Sequence, residues 1–415
     1  VSGAREIELD TGDLPLGGGL LALVRPVLLG SAPGTVVAIR SRARGVAEDL
    51  PAWCRLEGHV YLGAREVDER TLLHRIARGS LGALRGVAED GHTLAARGRP
   101  VTTAAMLAAV PLPDTADPAT GFSPRGARIE PGGPRHPFDL VERARIASPE
   151  VGSLYDQATA ATWSAATDVP WEEIPAHEPA IERAVAQIMT FLAENELAAL
   201  WTVARLVPRI HPAFAEVAFF LASQIADEAR HADVYLKRAR AAGAGVGSSA
   251  AITGHSLRGL LEPQDFTEST FLLGVLGEGT FLDLLRFVEL HAPDRCTREI
   301  ARRTRLDEAR HVHHALSHVR TVLAADPSAR SRLEGAIARR AASIPSGATV
   351  PSALQDALVL LAASATTAAA VARGHEAYRA LLDDLHAGRA KRLAVAGFDQ
   401  ESAERLSRLH TPNFM

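Results

Sequence analysis

The chain has 415 residues, long enough for two or three domains, and sets 45 basic against 49 acidic side chains for a formal charge of −4. That dispersed, near-neutral balance speaks against a nucleic-acid or anionic-membrane partner. Two cysteines, Cys54 and Cys296, are too few for a disulfide framework or a cysteine-held metal cluster. No basic stretch followed by an apolar run opens the sequence, and no apolar run reaches membrane-spanning length, so the expectation is a cytoplasmic protein with no membrane partner.

Residues 1–64 read as a small α/β domain in the order β-α-β-α-β. Glu6-Ile-Glu-Leu-Asp10 alternates like a strand, Gly17-Gly18-Gly19 precedes a helix over Leu20–Leu29, and Pro33-Gly34 turns into the strand Val36–Arg40. A second helix over about 45–57 and a strand at 59–62 follow. This order, with Asp10, the Pro33-Gly34 turn and the run from Ala47 to Cys54, resembles the TusA/SirA-type sulfur carriers. In that family a cysteine opens the first helix, where the helix terminus stabilises a thiolate. The corresponding position here is Gly17, so the resemblance implies a degenerate carrier domain without sulfur-relay chemistry, and Cys54 reads as a small core residue.

Residues 65–140 are expected to hold an amphipathic helical segment (Leu72, Leu73, Ile76, Leu81, Leu84), a second short one near 104–109, and then a Pro/Gly-rich connector. From 141 to 325 the pattern is that of four long helices. Asp227-Glu228-Ala229-Arg230-His231 recurs letter for letter as Asp307-Glu308-Ala309-Arg310-His311. In a helix, Glu and His at i and i+3 project from one side, so each copy can offer a carboxylate and an imidazole to one metal ion. The helix before each copy carries a Glu within its apolar stripe, Glu196 and Glu278, and such a carboxylate is costly unless paired. Glu194 lies two residues from Glu196 on a partly apolar face of its own; the helical-face argument favours Glu196. Four carboxylates balance two divalent cations, the pattern of di-metal four-helix bundles.

The doubled motif resembles the ferritin-like di-iron oxidases and oxygenases, which include ribonucleotide reductase small subunits, over about residues 155–325. The resemblance implies a ferritin-like bundle in which Glu196, Glu228, His231, Glu278, Glu308 and His311 are the metal ligands and the four carboxylates take part in catalysis. It further implies that Asp227 and Asp307 hydrogen-bond the imidazoles while Arg230 and Arg310 brace those carboxylates. The implied cofactor is two iron ions, with Mn/Fe as the alternative, and O2 as co-substrate. The implied activity is oxidation of a small organic substrate, by hydroxylation, N-oxygenation, desaturation or oxidative cleavage, using an electron donor the sequence does not name. Iron handling or peroxide scavenging is the alternative, and a scaffold linked to sulfur metabolism is a third. Tyr235, His313, His314 and His318 lie near enough in sequence to serve the site, with packing as the plainer role. Residues 326–415 are expected to add helices that pack on the bundle or on a second copy in a homodimer. The fold expectation is therefore mainly α, a four-helix bundle with extra C-terminal helices behind a small α/β domain.

Overall fold

The structure, a computed structural model, describes residues 6–79, 100–127, 129, 132–344 and 350–409. It divides into two compact units, one within 1–89 and 126–134, the other within 90–125 and 135–415.

In the first unit β1 (Glu6–Asp10), α1 (Leu20–Leu29), β2 (Val36–Ser41), α2 (Val46–Leu56), β3 (Val60–Asp68) and β4 (Thr71–Ala77) follow in order. The sheet order is β1-β2-β4-β3, with β1 parallel to β2 and the other pairings antiparallel. The expected β-α-β-α-β order is present, but the helix expected from residue 65 onward is not. Residues 65–77 instead complete β3 and form β4, a fourth strand inserted between β2 and β3. Leu73 and Ile76 are buried there on opposite faces of a central strand: Ile76 joins the core under the helices, while Leu73 shares its face with the exposed Arg75, which pairs with Glu6 at 2.9 Å. Leu81 and Leu84 lie outside the described residues. The sheet thus extends the α/β domain beyond the boundary at 64. Leu20, Val24 and Leu28 of α1 and Val46, Leu50 and Cys54 of α2 form the core with Val37 and Ile39. Burial pushes the Cys54 thiol up to about 11, so it is an inert core residue rather than a thiolate.

The second unit opens with α3 (Thr103–Ala108) and α4 (Val151–Ala160), then the bundle: α5 (Pro179–Ala204), α6 (Ala215–Ala241), a third helix, and α10 (Arg295–Ala325). A short α7 (Ala251–Leu261) lies in the crossover between the second and third bundle helices. The third bundle helix is composite. α8 (Phe266–Thr270) runs into a π-helical segment, Phe271–Glu278, and continues as α9 (Gly279–His291). The wider π turn ends at Glu278 itself, and such segments are frequent at functional sites because they redirect one side chain. α5 packs along α6 and α9 along α10. α11 (Ala329–Ala342), α12 (Ser352–Ala363), α13 (Ala368–Ala396) and α14 (Gln400–Arg408) complete the unit, α12 lying on α5 and α13 on α9. Residues 410–415 fall outside the described chain.

One buried polar knot ties three bundle helices. Arg238 of α6, fully buried, pairs with Glu182 of α5 and with Asp294, 2.9 Å away, while its Nε donates to Thr297 at 2.8 Å. Asp294 also caps α10 by accepting from the Thr297 amide at 2.6 Å. With its donors matched in this way the guanidinium sits in the core without an orphaned charge. Among the described residues no single helix is long and apolar enough to cross a membrane.

Candidate metal centre

The four bundle helices aim their carboxylates inward. Glu196 from α5, Glu228 and His231 from α6, and Glu308 from α10 form one group whose candidate ligand atoms all lie within 4.8 Å of one another. Glu228, Glu278, Glu308 and His311 form a second on the same criterion. Glu228 and Glu308 belong to both. All six residues are buried. Glu194, by contrast, points away and accepts a 2.6 Å hydrogen bond from Ser249. The difference follows from helix geometry: Glu196 shares its face with Leu192, Ala199 and Val203, all buried, whereas Glu194 is turned two residues, about 200°, around the axis.

The imidazoles are held in a crossed arrangement. His231 Nε2 lies 3.1 Å from Asp307 Oδ2, and His311 Nε2 lies 3.2 Å from Asp227 Oδ2. Each aspartate thus serves the histidine of the opposite motif, not the one in its own. Arg230 bonds Asp227 and also reaches Asp307 at 3.1 Å; Arg310 bonds Asp307 and lies 3.5 Å from Asp227. The two arginines therefore bridge the two aspartates and neutralise them. With both Nε2 atoms engaged outward, both Nδ1 atoms face the carboxylates: His231 Nδ1 is 3.2 Å from Glu308 Oε1, and His311 Nδ1 is 3.3 Å from Glu228 Oε1. Hydrogen bonding at one ring nitrogen fixes the other as the metal-facing one.

A bound metal pair is tested by what the inward atoms do without one. Glu196 Oε1, Glu228 Oε2, Glu278 Oε2, Glu308 Oε1 and His231 Nδ1 are buried and have no hydrogen-bond partner. The ion-pair distances around His231 Nδ1, 3.2 to 3.6 Å, are close in charge but lack hydrogen-bond geometry. Orphaned acceptors at such density, converging from four helices, are expensive and are what a cation pair would satisfy. The donor set, four carboxylates and one imidazole nitrogen for each ion, suits iron or manganese. The residues fit a dinuclear centre.

Protonation shows the same strain. Burial raises Glu196 and Glu278 well above the ordinary carboxylate value, and the charge of Glu308 adds to both. Burial alone would lower the two imidazoles, but the surrounding carboxylates, Asp307 and Glu196 first for His231 and Glu308 and Glu228 first for His311, raise both well above their usual value. Glu308 moves the other way: burial opposes ionisation, but His311 and His231 hold it below the usual carboxylate value. Without metal, protons occupy the place of the cations.

Three neighbours complete the site, two of which, Trp163 and Gln224, the sequence did not single out. Trp163 Nε1 donates a 2.7 Å hydrogen bond to Asp307 Oδ2, and the Arg230 guanidinium lies 5.0 Å over its ring. Its partner is 144 positions away, so no sequence spacing could reveal it. Gln224 donates to Glu278 Oε1 at 2.7 Å and to Glu228 Oε1 at 3.3 Å. It lies one turn before Glu228 on the same face, a polar residue on a buried stripe, and that signal was readable. Tyr235, one turn after His231, is fully buried with a hydroxyl that has no partner, and burial and the Glu196 charge raise its pKa far above normal. Of the other histidines, His318 is a satisfied core residue, 2.8 Å from Ala147 O and 2.9 Å from the Thr267 hydroxyl, and His313 pairs with Glu150 at the surface. His314 is buried with neither ring nitrogen partnered, and burial pushes it down to about 3.

The cavity beside the centre is small. It is lined by Gln224, Gly274, Glu278, His311 and His314 among others and holds about 20 Å³, room for one water-sized ligand.

No protein-family model matches the chain, and no curated protein matches it. Solved structures similar to it include R2-like ligand-binding oxidases. One is a variant with an anaerobically reconstituted Mn/Fe cofactor, at 14% identity, covering 63% of this chain and 93% of that one with a TM-score of 0.42. Another variant, with an aerobically reconstituted Mn/Fe cofactor, gives 16% identity, 63% and 97% coverage and a TM-score of 0.41. A third, aerobically reconstituted with Mn/Fe after a long soak, gives 12%, 63%, 93% and 0.39. The second unit is a mainly helical bundle whose buried Glu/His cluster fits a dinuclear metal site.

Proposed function

We propose that this chain is a non-haem di-iron oxidase or oxygenase, with Mn/Fe as the alternative metal pair, that uses O2 to oxidise a small organic substrate. The observation that carries the reading is the convergence of unpartnered, buried carboxylate oxygens on two overlapping groups. Glu228 and Glu308 belong to both groups and would be shared by the two ions, while Glu196 and His231 would hold one and Glu278 and His311 the other. A reduced metal pair held there would supply the electron-transfer and Lewis-acid chemistry that O2 activation needs. The protein's part is to fix the imidazoles through Asp307 and Asp227, to neutralise those aspartates with Arg230 and Arg310, and to keep bulk water out of a wholly buried site. Glu278 closes the side next to the small cavity, with Gln224 holding its Oε1.

The small volume of that cavity favours a second reading, in which the centre handles iron or reduces peroxide without an organic substrate at the metals. The two separate in one experiment. Metal-free protein is loaded anaerobically with Fe(II), the iron is counted, and stopped-flow absorbance is followed on mixing with O2 or with hydrogen peroxide. Two irons per chain and a transient visible band with O2 support the oxidase reading. A fast reaction with peroxide and none with O2 supports the second. No iron uptake overturns both.

A further inference from the structure

A larger pocket of about 450 Å³ lies in the same unit, between α3, α4, the start of α6 and the end of α10. Its walls are mainly apolar, with Leu107, Ile146, Val151, Phe214 and Val217 among the residues that line it. The charges on its border are already matched. Arg125 pairs with Glu216 at 3.0 Å, both nearly buried, and Arg143 pairs with Asp114 at 2.7 Å. The Ser148 hydroxyl and Arg125 Nε, polar atoms of lining residues, are shielded from the pocket as well as from solvent. The space is within the range of small-molecule sites, whose walls are mostly apolar.

We propose that this pocket binds a neutral, predominantly apolar organic molecule. Water fills such a space poorly, because most of its wall offers no hydrogen bond. An ionised ligand would bring an unmatched charge against apolar walls whose own charges are spoken for. The pocket lies in line with the metal-side cavity. On α6, Val217 lines the pocket and Gln224 the cavity; on α10, Thr321 lines the pocket and His314 the cavity. Seven residues separate each pair, a rise of about 10 Å along helices that carry both sites on one face. His318, between Thr321 and His314, is bonded to the carbonyl of Ala147 in the pocket wall.

The test uses the full-length, metal-free protein and the neutral fluorophore N-phenyl-1-naphthylamine, so its outcome does not depend on the metal chemistry. Saturable one-site binding is expected. Val217→Phe and Ala108→Phe, which fill the pocket from α6 and α3, should each weaken it by about tenfold or more while keeping a cooperative melt. Absence of saturable binding, or wild-type affinity in both filling variants, overturns the site. Displacement of the fluorophore by its sulfonated, anionic analogue at equal or lower concentration overturns the assignment to neutral ligands.

Discussion

Trp163 Nε1 and His231 Nε2 meet at one atom, Asp307 Oδ2, at 2.7 and 3.1 Å. Asp227, the counterpart across the site, takes His311 and the two arginines but no indole among the described residues. The doubled motif therefore builds two ion positions that differ in their surroundings. Trp163→Phe removes one donor from a buried carboxylate and should cost about 1–3 kcal/mol of stability. It should also weaken metal binding at the His231 position by roughly tenfold, with the His311 position spared. Calorimetric titration with Mn(II) checks this: two unequal steps should appear where the wild type gives closer ones, and a uniform loss at both steps would refute the asymmetry.

Because Glu228 and Glu308 belong to both ligand groups while Glu196 and Glu278 belong to one each, substitutions should sort by stoichiometry. Glu228→Ala and Glu308→Ala are expected to abolish binding of both ions. Glu196→Ala and Glu278→Ala are expected to retain about one. Elemental analysis after desalting reads the difference directly, and retention of two ions in Glu308→Ala would remove it from the centre.

The bundle was legible because its signals are periodic and local. A Glu and a His one turn apart, repeated, with a lone Glu on the apolar stripe of each preceding helix, pointed to the six residues that the fold brings together. What stayed hidden depends on distant pairing. Trp163 reaches Asp307 across 144 positions, and the exchange of aspartates between motifs is invisible in two identical pentapeptides. The strand β4 was misread for a different reason. Leu72, Leu73 and Ile76 fit a helical stripe, whereas in the strand Leu72 and Ile76 share one face with His74 and Leu73 lies on the other with Arg75. The turn before it did carry a mark, Asp68 accepting from the Arg70 amide at 2.9 Å, a side-chain turn typical of hairpins.

Stability of the metal-free protein should fall as pH rises. Glu196 and Glu278 have raised values in the folded state, so their contribution is complete below the ordinary carboxylate value of 4.5 and is lost as pH climbs through the raised ones. His231 and His311 are raised too, and theirs is complete below 6.5 and lost above it. Glu308 and Asp307, both lowered, act in the opposite sense and are lost only toward acid. The melting temperature of metal-free protein is thus expected to peak in mildly acidic solution and decline through neutrality. Added Mn(II) should abolish the decline, because metal replaces the protons, and its binding should release protons into a weakly buffered solution. A metal-free melt that rises between pH 6 and 8 would contradict the assignment.

Gly274 sits in the π-helical segment one turn before Glu278, where a Cβ would lie 2.4 Å from the Ala315 Cβ and 3.6 Å from Glu278 Oε2. Neither helix can admit the extra methyl without moving, and overpacking of this kind costs about 1–3 kcal/mol. Gly274→Ala should therefore destabilise the protein by that amount. Combining it with Ala315→Gly removes the clash and should recover most of the loss, less about 1 kcal/mol for glycine inside α10. Gly274 and Ala315 both line the small cavity, so the double variant exchanges one methyl for another there and leaves every ligand in place. Chemical denaturation of the wild type, Gly274→Ala and the double variant checks this, and a double variant no more stable than Gly274→Ala would show that contact with Ala315 is not what keeps this position a glycine.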